Sequence, residues 1–67
     1  MLNIGVVKWF DNLKGYGFIE HFPVDVYVHF SSIQAHGYRA LEAGQKVSYQ
    51  IGRGKKGPMA FNVKKIY

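Results

Sequence analysis

Short hydrophobic runs that alternate with period two, cut every few residues by glycine, are the feature that most limits how this chain can fold. All eight glycines punctuate such runs, and no segment repeats its apolar residues every three or four positions over a useful length. The pattern predicts an all-β chain. A first strand is expected from about Ile4 to Asp11, and Asn12-Leu13-Lys14-Gly15 reads as a turn into a second strand near Tyr16 to His21. Pro23 ends that strand, and a third from Asp25 to Phe30 sets Val26, Val28 and Phe30 against Tyr27 and His29. Ser31 to Gln34 is expected to form one helical turn, followed by a long connection from Ala35 to Gly44. A fourth strand near Lys46 to Ile51 turns Val47, Tyr49 and Ile51 one way; a basic loop from Gly52 to Pro58 then leads into a fifth, Met59 to Ile66. Five short strands leave exposed edges, and closing the sheet into a barrel removes most of them.

With 67 residues there is room for one domain with a thin core, so residues 1–67 read as a single unit of modest stability. Val7, Ile19, Val26, Val28, Ile33, Val47, Ile51 and Val63 are the expected core. Cysteine is absent, which excludes disulfide stapling and thiolate metal sites. The first ten residues have no signal-peptide pattern and no run of eighteen apolar residues occurs, so a soluble cytoplasmic protein with no membrane association is expected. Nine Lys and Arg against four Asp and Glu give a net charge of +5, a balance suited to polyanionic partners.

The residues opposite the core are unusual. Tyr16 and Phe18 share one side of the second strand with Gly17 between them, and Tyr27 and His29 repeat the device on the third, where outward positions ordinarily hold Thr, Lys or Glu. Lys8 and Trp9 come from the first strand and Lys14 from the turn before Tyr16. Such rings could instead fill a core, but the eight aliphatic positions already supply one. Interleaved rings and cations are what an unpaired nucleic-acid strand requires, because bases stack on the rings and ammonium groups meet the phosphates.

Three segments, Lys8-Trp9-Phe10, Lys14-Gly15-Tyr16-Gly17-Phe18-Ile19 and Val26-Tyr27-Val28-His29-Phe30, closely resemble the motifs of the cold-shock domain family. The resemblance continues in family order through Ser31-Ser32-Ile33-Gln34, Gly37-Tyr38, Leu41, Gly44-Gln45-Lys46-Val47, Gly57-Pro58 and Asn62-Val63. It implies a five-stranded antiparallel Greek-key barrel of the OB type that binds single-stranded DNA and RNA, about six nucleotides with a pyrimidine preference, and acts as an RNA chaperone. Roles in the cold-shock response and in transcription and translation go with it. Carried over residue by residue, the stacking platform falls on Trp9, Tyr16, Phe18, Tyr27, His29, Phe30 and Tyr38; Lys8, Lys14 and Lys56 match the family's cations, and Asp25 a base-contacting acid. Alternation alone turns Phe30 inward, and Phe10 is ambiguous in the same way. Asp11 stands in the site where the family usually has Asn, Tyr16 and Tyr27 replace the commoner Phe, Phe61 replaces a small residue, and the turn His21-Phe22-Pro23-Val24 is unusually apolar.

Other chemistries fare worse. Gly52-Arg53-Gly54-Lys55-Lys56-Gly57 spells G-x-G-x-x-G, but Pro58 and the short remainder leave no helix for a dinucleotide site. His21, His29 and His36 match no zinc spacing. Ser31 and Ser32 lack a nucleophile-elbow context, and no carboxylate pair signals acid and base roles, so neither an enzyme nor a cofactor is expected; a nuclease built from His29 with Asp25 or Asp11 is the remote exception. The alternative from another class is a protein-interaction barrel that uses Phe22 and Phe61, a swapped dimer being one route to it, against the monomer otherwise expected.

Overall fold

The computed structural model describes residues 2–34 and 40–66. Five strands close into a barrel in the order β1-β2-β3-β5-β4: β1 (Asn3–Asp11), β2 (Tyr16–Ile19), β3 (Val26–His29), β4 (Lys46–Gly54) and β5 (Gly57–Lys65). A single 3-10 turn, Phe30–Ser32, follows β3. Four seams are antiparallel and the fifth, β3 with β5, is parallel through Tyr27 and Met59. An odd ring of strands cannot alternate direction all the way round, so one parallel seam is the topological cost of closure. A parallel bridge from Ile33 to Val63 extends that seam past the helical turn.

Alternation places Val7, Ile19, Val26, Val28, Val47 and Val63 in the core together with Ile33. Three further residues join them, Leu41, Tyr49 and Ala60. Gly5 makes room for the Tyr49 ring, since a Cβ there would lie 3.1 Å from its Cε1. Burial in apolar surroundings raises the Tyr49 hydroxyl above its ordinary pKa.

Ile51, expected in the core, is 41% exposed. It pairs with Ala60 and so has the inward parity, but β1 accompanies β4 only as far as Tyr49, and beyond that point the β4–β5 hairpin has no second neighbour on the β4 side. The expected basic loop from Gly52 to Pro58 is likewise corrected. Pairing of β4 with β5 runs on to Gly54 and Gly57, leaving Lys55 and Lys56 alone as the turn, with Gly57 at a φ of 110° that a side chain would resist.

Two bulges break the alternation. On β1, Val7 faces Ile19 while Trp9 faces Phe18, so Lys8 is an extra residue. On β5, Asn62 and Val63 together oppose Tyr49, and Asn62 takes a φ of 52°, the left-handed conformation that asparagine tolerates better than most side chains. Phe30 does not turn inward. The chain leaves the strand there for the 3-10 turn, and the ring stays 43% exposed, resting over Gly15. Phe10 takes the inward course, half-buried against the core.

Candidate nucleic-acid interface

The bulge at Lys8 decides the site. Under strict alternation from buried Val7, Lys8 would point out and Trp9 in; the extra residue resets the parity, and both project from the barrel. Trp9, 40% exposed, then lies beside Phe18 across the β1–β2 seam, and Phe18 in turn faces Tyr27 across β2–β3. Gly17 permits the close approach of these strands, because a Cβ would lie 2.7 Å from the Phe10 Cα.

Four rings form a closed circuit on this face. Trp9 meets Tyr16 and Phe18 at 5.5 Å each, Tyr16 meets Tyr27 at 5.9 Å, and Phe18 meets Tyr27 at 5.8 Å. Interplanar angles of 74°, 54°, 31° and 72° leave the rings tilted rather than stacked on one another, with Trp9 exposed and Tyr16, Phe18 and Tyr27 half-buried. Tyr16 pairs with His29, which carries the surface on to Phe30 at 4.7 Å. His29 is held by its neighbours: Nδ1 accepts from the Ser31 N–H and lies 2.8 Å from the Ser31 Oγ, leaving Nε2 as the nitrogen turned away from these bonds.

Lys56, at the hairpin tip, places its Nζ 5.9 Å from the Tyr16 ring centre and 5.6 Å from that of Tyr27. With Lys55, Gly54, Gly57 and Met59 it encloses a pocket of about 280 Å³ against Tyr27 and His29. Met59 was not foreseen. Its signal was the parity of the fifth strand, in which Met59 and Phe61 share the face opposite Ala60.

The acids and remaining cations occupy the margins. Lys8 Nζ donates to Asp25 Oδ2 at 2.9 Å, the one ion pair among the described residues. Asp25 Oδ1 also accepts the His21 N–H at 3.3 Å. The Lys8 hydrogen bond and then that of His21 hold the Asp25 carboxyl below its ordinary pKa, while Asp25 raises that of Lys8. Asp11 Oδ1 accepts from the Leu13 and Lys14 N–H groups at 2.9 and 3.0 Å, so its side chain organises the β1–β2 turn that presents exposed Lys14. His29, Asp11 and Asp25 are thus each engaged elsewhere and do not form the cluster a nuclease would need. Tyr38, Gly37 and His36 lie outside the described residues. Phe22, 91% exposed, lines a groove with Lys8, Glu20, His21 and Asp25, and Phe61 covers Gly52; the two rings sit in different surroundings.

The family model described as "'Cold-shock' DNA-binding domain" matches residues 3–66. The chain belongs to the cold-shock domain family. A cold shock-like protein, CspB, of Bacillus cereus is 59% identical over 63 residues, spanning 92% of this chain and 97% of its own. The cold shock protein CspB of Geobacillus stearothermophilus is 56% identical over 63 residues, covering 92% and 96%. Among solved structures, Drosophila Unr CSD456 superposes over the whole of this chain and 27% of its own, with a TM-score of 0.81 at 14% identity, a likeness of fold. Membership in the cold-shock domain family makes this a nucleic-acid-binding protein rather than an enzyme. No helix among the described residues is long and apolar enough to cross a membrane.

Proposed function

We propose that this cold-shock domain grips about six unpaired, preferably pyrimidine, nucleotides of DNA or RNA and acts as a cytoplasmic, monomeric RNA chaperone, in the cold-shock response and in transcription and translation. The observation that carries the reading is the circuit of Trp9, Tyr16, Phe18 and Tyr27 on one face of three adjacent strands, with Lys56 against two of its rings. Bases stack on Trp9, Tyr16, Phe18, Tyr27, His29, Phe30 and Tyr38. Lys14 and Lys56, joined by Lys55 on the same hairpin turn as Lys56, meet phosphates, with Lys8, Asp11 and Asp25 at the margin.

A duplex hides its base faces, so the protein selects open strands and needs no nucleotide hydrolysis to do so. Binding only the open form lowers the stability of a hairpin by RT ln(1 + [L]/Kd), about 2.7 kcal/mol at a hundredfold excess over Kd. Fluorescence titration of Trp9 tests this. A pyrimidine-rich single strand should quench its emission at micromolar concentration or below, and a matched duplex should bind at least tenfold more weakly. Equal affinity for both would leave only a nonspecific basic surface.

A further inference from the structure

The outer face of the sheet does not end at Tyr27. Across the parallel seam Tyr27 pairs with Met59, and two residues along β5 from Met59 the same face presents Phe61. Each leans diagonally onto a glycine of β4, Met59 onto Gly54 and Phe61 onto Gly52. A Cβ on Gly54 would lie 2.8 Å from the Met59 Sδ, and one on Gly52 would fall within the Phe61 ring edge, 3.0 Å from Cδ2. Each side chain therefore lies down over a bare stretch of backbone instead of standing away from it. For Phe61 this seats the Cδ2–Cε2 side of the ring on the strand at Gly52 while the residue stays 37% exposed.

Strand spacing of about 4.8 Å and a rise of about 3.4 Å per residue place the Phe61 Cα roughly 8 Å from that of Tyr27. Met59 fills the interval with apolar surface. Lys64, exposed farther along β5 after the Asn62 bulge, supplies a cation beyond the ring. Gln50, directly opposite Phe61, is held by the Asn62 amide, which is itself bonded to Gln34.

We propose that Phe61 is a further base-stacking position, extending the platform past Tyr27 and Met59 by one nucleotide whose phosphate lies near Lys64. The proposal rests on the single-strand-binding reading above. Its occupant is a nucleobase, because the exposed group is an aromatic ring that lies beyond Met59 on the same outer face as the other rings, and stacking is tolerant of base identity.

Length dependence separates this proposal from its parent. Oligothymidines of five to nine nucleotides are titrated into the wild type, Phe61→Ala and Phe61→Leu, following Trp9 emission, with thermal melting of each variant as the control for folding. The expected result is a step of about 5- to 100-fold in wild-type affinity on adding the nucleotide that reaches Phe61, absent in both variants, with all three proteins equal on the shortest strand. Phe61→Leu keeps apolar cover over Gly52 and lacks only the aromatic face. A step that survives in Phe61→Leu, or a loss equal at every length, overturns the proposal and leaves Phe61 as a cover for Gly52. Failure of the shortest strand to bind the wild type would instead defeat the single-strand reading itself.

Discussion

Replacing Asp25 by Asn separates two roles that the site allows this acid. In the structure the Lys8 ammonium is engaged by the Asp25 carboxylate at 2.9 Å, so a cation at the edge of the aromatic face is already partly neutralised before any phosphate arrives. Lys14, Lys55 and Lys56 remain as three exposed cations, the last two beside the rings and Lys14 in the turn before Tyr16. At about −0.7 per neutralised phosphate on a single strand, these three give a slope of log K against log salt near −2.1. Asp25→Asn removes the competing charge and releases Lys8 for a fourth contact, which steepens the slope to about −2.8. Over a fourfold change in salt the ratio of variant to wild-type affinity then changes by about 2.6-fold, with the variant favoured at the low end.

Titrating both proteins with one oligothymidine at four or five salt concentrations measures this directly. If Asp25 instead contacts a base, the variant weakens by the same factor at every salt concentration and the slopes coincide; coincident slopes refute the release of Lys8. Acidity offers the same test without mutation. The Asp25 carboxyl lies below its ordinary pKa because it accepts the Lys8 hydrogen bond, so the ion pair is intact above the ordinary carboxylate range and is lost as pH falls through the lowered value. The wild-type slope should therefore approach that of the variant only at strongly acid pH. The pair is exposed, and its loss should leave the melting temperature nearly unchanged.

Phe18→Ala, Tyr27→Ala and His29→Ala should each weaken oligonucleotide binding by about 1–3 kcal/mol with a smaller effect on folding, whereas Val28→Ala and Val47→Ala should lower the melting temperature while bound-state contacts persist; reversal of the two patterns would sink the platform. Asp11→Asn keeps an oxygen to accept the Leu13 and Lys14 N–H groups and sheds a negative charge, so the turn should survive. Affinity should then rise by about 0.5–1.5 kcal/mol at low salt, shrinking as salt screens the repulsion, and wild-type binding equal to the variant's throughout would refute it. Tyr49 ionises in the unfolded chain near pH 10 and later in the folded one, so stability should fall as pH climbs past 10, and denaturant titrations of Tyr49→Phe should show that part of the loss removed.

Strand positions and the inward valines were legible because alternation is a local property: Val26 and Val28 against Tyr27 and His29 need no knowledge of the rest of the barrel. What failed to show was non-local. Ile51 has the parity of a core residue, yet its burial depends on whether another strand reaches it, and β1 stops short. Phe30 follows the strand pattern up to the residue at which the chain turns away. The bulge at Lys8 is hidden in a run, Val6-Val7-Lys8-Trp9-Phe10, that reads equally well in either parity, so the sequence located Lys8 and Trp9 without saying why they share a face. The interleaving of rings with cations, and then the resemblance of the motifs, supplied that grouping where periodicity could not. Leu41 is a lone large aliphatic in the stretch expected as a connection, with no alternation around it, and only its neighbours in space explain its burial.

The middle and the β5 edge of the outer face differ in what supports them. Phe18 stands on β2, which is paired on both sides, so removing its ring takes away a stacking face while the strand stays held by β1 and β3. Met59 and Phe61 lie over Gly52 and Gly54, where β4 has β5 as its only partner. Glycine inside a strand costs roughly 0.5–1 kcal/mol relative to alanine, and here an added Cβ would collide with the side chain lying above it. The order of the hairpin and the flatness of its outer face thus depend on the same few contacts. Binding and folding should separate cleanly for substitutions at Phe18 and remain coupled at Met59, which is why the test at Phe61 compares alanine with leucine rather than relying on alanine alone.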